Sequence, residues 1–285
     1  MAWIFSEKKG RVEPVWAFEA AGVLWRILIT DNGLIIGEDR DKDKKTVSFF
    51  CIDSLTGNVL WKDVRFAEPW WIGLEAIHKE IVFIHEYAAP DMPGHKKIYA
   101  LDIKTGRQAW SNENVQFLFA HADRVYTAKE KFEGRELYEV DLGTGTTVQK
   151  VEASYLNVLK EDAPVPASPI ELPSPVAGDA GFNQVFDSAI KRVIAKKRRL
   201  AFAETMTKNG CLIAAFYDSA IGATEPSFGQ HLFVADASNG KILFQDQLNS
   251  GTNMAVPDAF LCIQNMCYYI KNRKLLCAIR ISATM

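Results

Sequence analysis

The sequence of 285 residues predicts an all-β fold, a β-propeller of four-stranded antiparallel blades, and three observations carry that expectation. A corner of the form Asp-x-x-Thr-Gly recurs along the chain. Its recurrences lie near one or two blade lengths apart. Short segments of alternating apolar and polar residues surround each corner, bounded by turn formers.

The corners are Asp53 to Gly57 with Thr56, Asp102 to Gly106 with Thr105, Asp141 to Gly145 with Thr144, and Asp236 to Gly240 with Asn239 in the Thr place. Their aspartates are separated by 102 − 53 = 49, 141 − 102 = 39 and 236 − 141 = 95 residues. A blade takes about 40 to 50 residues, so the last interval holds about two. An Asp carboxylate can accept from backbone N–H groups two or three residues on and close the turn. Gly supplies the positive φ of a tight hairpin. Trp61 and Trp110 stand four residues after their Gly, in the next strand, where each can pack on a neighbouring blade.

Taken in order, unit one runs 24–30, 33–37, 46–53 and 58–62. Unit two runs 70–77, 81–87, 97–102 and 107–111. Unit three runs 115–121, 124–129, 135–141 and 147–151. Unit four runs 200–205, 211–217, 231–236 and 241–245. A last unit offers 259–263, 267–270 and 275–281, then the chain stops. Segment 11–18 reads as its missing strand, so the N-terminus is expected to close a single propeller domain, 1–285, by joining 259–281. Closure removes open sheet edges.

Residues 153–196 interrupt the pattern. Glu161 to Pro175 is proline-rich and reads as an exposed linker, unsuited to a central strand. Phe182, Val185, Phe186, Ala189, Ile190, Val193 and Ile194 recur at helical spacing, which predicts a helix over about 181–197. Treating this stretch as an insertion gives five blades, the favoured count. Taking Asp187 as a degenerate corner gives six.

Ala100-Leu-Asp-Ile-Lys-Thr-Gly-Arg-Gln-Ala-Trp110 resembles the repeat of quinoprotein-like propellers, which include the pyrroloquinoline quinone dehydrogenases and an outer-membrane assembly lipoprotein. The resemblance implies the propeller fold. It does not imply the quinone. Those dehydrogenases usually have eight blades, adjacent cysteines and a carboxylate-bound Ca²⁺, whereas this chain is too short for eight blades and has no adjacent cysteines. No cofactor is expected.

The net charge of −2 offers no global attraction to nucleic acid or anionic lipid, and neither is an expected partner. Cys51, Cys211, Cys262, Cys267 and Cys277 form no Cys-x-x-Cys pair. Cys262 and Cys267 lie five apart in strand-like text, a spacing that alternation puts on opposite faces and that argues against a local bridge, so reduced, buried thiols of a cytoplasmic protein are expected. No signal-peptide pattern opens the chain, and no apolar run reaches the length of a membrane span.

No nucleophile, dinucleotide or metalloprotease motif is present. Glu38-Asp39-Arg40-Asp41-Lys42-Asp43 resembles the start of a calcium loop, but Lys44 and Phe50 stand where that loop needs Gly and Glu, so a charged hairpin tip is the preferred reading. The basic run Lys191 to Arg199 reads as a solvated helix end. His85, Glu86 and His121 could face the propeller axis, though their spacing carries no metal signature and no metal is expected. Trp70 and Trp71 should point to opposite faces, one into core and one toward a pocket. These five are the ligand-binding candidates, and no catalytic residue is expected. A non-enzymatic binding or scaffold propeller is therefore the expected function, with a protein partner first and a small ligand second. The alternative is an enzyme acting on a small molecule or carbohydrate in the central funnel.

Overall fold

The structure, a computed structural model, describes residues 3–4, 13–90, 94–162, 170–176, 184–194, 198–220 and 227–282. It is an all-β propeller of about five antiparallel sheets, and its chain divides into two compact units. A central unit holds Ala21–Ser54 and Asn58–Ala167; a terminal unit holds Met1–Ala20, Leu55–Gly57 and Ser168–Met285.

The central unit carries three four-stranded meanders. The terminal unit supplies β1 (Trp3–Ile4) and β2 (Pro14–Glu19), which come first in the chain. The first central meander is β3 (Val23–Ile29), β4 (Leu34–Asp41), β5 (Thr46–Asp53) and β6 (Val59–Val64). The second is β7 (Ile72–His78), β8 (Ile81–Tyr87), β9 (His95–Asp102) and β10 (Gln108–Glu113). The third is β11 (Gln116–His121), β12 (Arg124–Lys131), β13 (Gly134–Asp141) and β14 (Thr147–Val151), followed by helix α1 (Ala153–Asp162). Alternation buries one set of side chains from each pair of meanders. Leu34, Ile36, Phe49, Leu74, Val82, Ile84 and Leu101 form one core. Phe83, Ile98, Ala100, Val115, Val125 and Val140 form the next.

The terminal unit continues with β15 (Ile170–Glu171), β16 (Ser174–Pro175), α2 (Gln184–Val193), β17 (Arg198–Lys208), β18 (Cys211–Ala220), β19 (Phe228–Asp236), β20 (Ile242–Thr252), β21 (Phe260–Ile263), β22 (Met266–Lys271) and β23 (Leu275–Arg280). One sheet runs β16-β17-β18-β19-β20, the other β1-β2-β23-β22-β21-β15. Thus the N-terminal strand β2 pairs antiparallel with β23, Ala17 opposite Cys277. Arg11 and Val12 lie outside the described residues.

Each corner joins the third strand of its meander to the fourth. Thr105 donates from N and Oγ1 to Asp102 Oδ1 at 2.8 and 2.7 Å, and Gly106 N donates to Asp102 O at 2.8 Å. Thr144 and Asp141 repeat this at 3.0 and 2.9 Å. At the last corner Ser238 takes over the bond to Asp236, and Asn239 instead accepts from Lys241 N at 2.8 Å. Gly106 and Gly145 have φ of 68° and 71°, conformations that a side chain disfavours.

The structure differs from the expected insertion in several ways. Within the helix expected over 181–197, Gln184–Val193 is helical, with Phe186, Ala189 and Ile190 buried on the sheet of β18 and β19, while 181–183 and 195–197 lie outside the described residues. An additional helix, α1, occupies 153–162; among its described side chains Leu156 is buried in the adjoining core and Leu159 packs against it, an apolar period too weak to read. The proline-rich stretch contributes two short edge strands: β15 pairs with β21 and β16 with β17. Edge positions tolerate the missing N–H of Pro175. Asp187 lies in α2, so it marks no corner, and the six-blade count falls to about five.

Cys262 and Cys267 are also placed differently. A two-residue turn, Gln264-Asn265, lies between them, so they face each other directly across β21 and β22. Alternation was counted through a turn that reverses the chain. All five cysteines are free and buried.

Candidate functional site

The polar cluster with the most unusual surroundings belongs to the second meander. Glu75, His85 and His95 come from three consecutive strands, β7, β8 and β9, and their ligating atoms lie within 4.8 Å of one another. Two β-bulges place them. Leu74 pairs with Ile84 and Ala76 with Phe83, which leaves Glu75 as the extra residue of β7. Glu86 pairs with Lys97 and Tyr87 with His95, so the bulge at Lys96 turns His95 onto the side of the sheet that holds His85. Bulges re-aim side chains in this way.

The two imidazoles stack, with centroids 3.6 Å apart and planes 7° from parallel. Glu75 Oε2 lies 2.7 Å from His85 Nδ1 and 2.9 Å from His95 Nδ1. Neither ring nitrogen of His85 has an aligned hydrogen bond, nor does that carboxylate oxygen. His85 is only 3% exposed, whereas the side chains of His95 and Glu75 keep 22% and 19% of their surface. One flank of the cluster is therefore open to solvent. Tyr87 meets both imidazoles edge to face, at 4.7 and 5.5 Å, and Trp71 meets Tyr87 at 6.5 Å.

Burial acts to raise the Glu75 carboxyl, but the two imidazoles beside it outweigh this and hold it at about 2. Burial is also the main influence on His85 and pushes its imidazole below the usual value, against the pull of Glu75. His85 is therefore neutral near pH 7, and a neutral imidazole offers a lone pair to a cation or a donor.

A buried pair supports the site from the first meander. Arg40 contacts Glu38 through Nε and donates from Nη1 to Trp70 O at 2.9 Å. Glu38 Oε2 accepts from Leu74 N at 2.9 Å, next to the bulged Glu75. Arg40 also lies 5.1 Å from the Trp70 ring and 5.6 Å from that of Trp25. The stretch expected as a charged hairpin tip is thus partly buried: Glu38 and Arg40 fix the start of β7, while Asp41 alone caps the turn, accepting from Lys44 N at 3.0 Å.

The five ligand-binding candidates separate. His85 belongs to the cluster and Trp71 to its aromatic wall. Trp70 packs on the core between the first two meanders, beside Arg40. Glu86, next to His85 on the strand, points to the other face, where it accepts from Tyr99 Oη. His121 ends β11 opposite Arg124, in the third meander. Sequence reasoning missed Glu75 and His95. The usable signal was His95, ten residues from His85 across an expected hairpin.

In the basic run, Arg198 pairs with the buried Asp218 at 2.7 Å and Arg192 donates to Gly240 O at 3.1 Å. Those two cations are committed to the terminal unit.

A model of a family described as a domain of unknown function (DUF4905) matches residues 29–110, a stretch that includes Glu75, His85 and His95. No curated protein matches the chain. Among solved structures, it overlaps a quinohemoprotein alcohol dehydrogenase from Comamonas testosteroni at 12% identity, over 91% of this chain and 40% of that one, with a TM-score of 0.29. It overlaps Hsv2 from Kluyveromyces lactis at 7% identity, over 84% and 70% of the two chains, with a TM-score of 0.28. A complex of KlAtg21 with the coiled coil of AgAtg16 overlaps at 7% identity, over 88% and 67%, with a TM-score of 0.29. Scores this low carry no functional argument, and the fold class rests on the sheets themselves.

Proposed function

We propose that this chain is a non-enzymatic binding propeller whose ligand site is the cluster of Glu75, His85 and His95 beside Tyr87 and Trp71. The observation that carries this reading is His85, buried with no aligned partner at either ring nitrogen. Such a group costs about 1–3 kcal/mol if left unmatched, and native proteins rarely leave one so. A ligand entering from the half-exposed side of His95 would match it.

Protein partners belong to the same proposal. β15, β16 and α2 pair with or cover the sheets of the terminal unit and are part of the fold. The outward Tyr155 and Val158 of α1 are the better candidates for protein contact. A cytoplasmic location fits the five free thiols, and no helix among the described residues is long and apolar enough to cross a membrane. Descent from quinoprotein-like propellers, without the quinone, is supported by the corner sequences alone.

The test is a thermal-shift panel of small carboxylates, sugars and nucleosides on chelator-treated protein, wild type against His95→Ala. A ligand that stabilises the wild type and not the variant supports the site. Equal responses throughout the panel contradict it. One observation favours an enzymatic reading: His85, kept neutral beside a carboxylate, has the makings of a general base. Turnover of any panel compound, lost in His85→Gln, would decide for it.

A further inference from the structure

We propose that Glu75, His85 and His95 form a binding site for a borderline divalent cation, with Zn²⁺ the best match, held by both Nδ1 atoms and the Glu75 carboxylate. This deepens the binding reading above and rests on the same site.

Donor type comes first. Two imidazoles and one carboxylate are a three-ligand zinc set with a position left for water or a ligand. Imidazole favours zinc, copper, nickel and iron over magnesium and calcium, which take oxygen. Glu86, the buried carboxylate of β8, is on the opposite face and contributes nothing here.

Distance comes second. Donors at about 2.0–2.1 Å from one ion, at angles of about 90° to 109°, lie about 2.9–3.4 Å from each other. The carboxylate oxygen already sits 2.7 and 2.9 Å from the two nitrogens. It does so without hydrogen-bond alignment at His85, because an oxygen approached by two parallel stacked rings cannot lie in the lone-pair plane of both. Polar atoms brought this close with no proton aligned between them are arranged as ligands of a shared cation. An ion held by both Nδ1 atoms needs the two rings to turn out of their parallel stack, so that each in-plane lone pair points at it, and Glu75 to shift by a side-chain torsion.

The environment comes third. The bulges at Glu75 and Lys96 turn these side chains to one side of the sheet, although a bulge at the matching place in the first strand is shared with β3, β11 and β17. Arg40 is occupied by Glu38 and two backbone carbonyls, Trp70 and Ile72, and Arg26 by the carbonyls of Leu74 and Glu75, so the recorded partners of the Glu75 carboxylate are the two imidazoles. The solvent-side exposure of His95 and Glu75 provides a path for the ion and an open coordination position.

The experiment is calorimetric titration of chelator-stripped protein with Zn²⁺, then Co²⁺, Mg²⁺ and Ca²⁺, with Tm recorded in parallel. One Zn²⁺ per chain and a raised Tm are expected, with Mg²⁺ and Ca²⁺ at least 100-fold weaker. Bound Co²⁺ should give visible bands of a low-coordinate site. His95→Ala and Glu75→Gln, both partly exposed and so expected to fold, should each weaken Zn²⁺ at least 10-fold, while His121→Ala binds as wild type. Should His85→Gln fail to fold, these two variants still decide the matter. No stoichiometric binding, or unchanged affinity in both variants, overturns the cation site. If Zn²⁺ fails while an organic ligand still binds in a His95-dependent way, the inference falls and the binding reading stands.

Discussion

The indole of Trp61 occupies the space that a β-carbon on Gly106 would need. Such a carbon would lie 2.7 Å from the ring, and Trp61 Nε1 donates to Ile103 O at 2.7 Å within the same corner. Trp110 repeats this on Gly145, 2.5 Å from the would-be β-carbon, and donates to Leu142 O at 2.8 Å. In the terminal unit Trp16 lies against Gly57 in the same way, at 2.6 Å. The fourth-strand tryptophan of one meander thus closes the corner of the next, and the Gly is required twice, for its φ and for its missing side chain.

Gly106→Ala should therefore destabilise by about 2–4 kcal/mol, combining a left-handed residue with a steric clash. Gly143, in the corner of the third meander, has ordinary φ and only the Asp141 carboxylate nearby, at 3.7 Å. Gly143→Ala should stay within about 0.5 kcal/mol. Urea midpoints of the two variants check the contrast.

These corners were legible because their chemistry is local: Asp, Thr and Gly interact within five residues, and the Trp follows at fixed distance. The cluster was not legible. Its members stand ten residues apart, 85 − 75 and 95 − 85, a spacing set by two hairpins and not by any metal motif. Only the bulges bring them together, and a bulge leaves no mark on alternation that one sequence reveals. Glu38 and Arg40 were misread because charged text next to a turn looks solvated until the neighbouring strand is placed over it.

Removing one member of the Glu38–Arg40 pair should cost more than removing both. Arg40→Met leaves Glu38 buried and unpaired, at about 3–5 kcal/mol. Glu38→Met with Arg40→Met should recover part of this, and a double-mutant cycle by chemical denaturation measures the coupling.

Burial also raises the Glu204 carboxyl, although Ala259 N and Asp258 N donate to it and pull it the other way. A carboxyl raised on folding favours the protonated folded form. Its stabilising effect is full below the unfolded value near 4.5 and is lost as pH rises through the folded value. The stability of wild type relative to Glu204→Gln should consequently fall as pH rises above the unfolded value near 4.5. A difference that grows with pH would contradict the assignment.

The thiols should be inert while the protein is folded. Burial pushes Cys51 to about 12 and Cys277 to about 11, and only the thiolate reacts. Native protein should react with a thiol-specific disulfide reagent at least about 100-fold more slowly than denatured protein, in which all five groups titrate.

The central claim is that three strands of the second meander deliver Glu75, His85 and His95 to one ligand. Anomalous diffraction at the zinc edge, from crystals grown with equimolar Zn²⁺, tests it most directly. The account predicts a single strong peak between His85 Nδ1, His95 Nδ1 and the Glu75 carboxylate, with bond lengths of about 2.0–2.2 Å. A cluster without a peak, its carboxylate still lying between the two rings while zinc sits elsewhere on the surface, would contradict it.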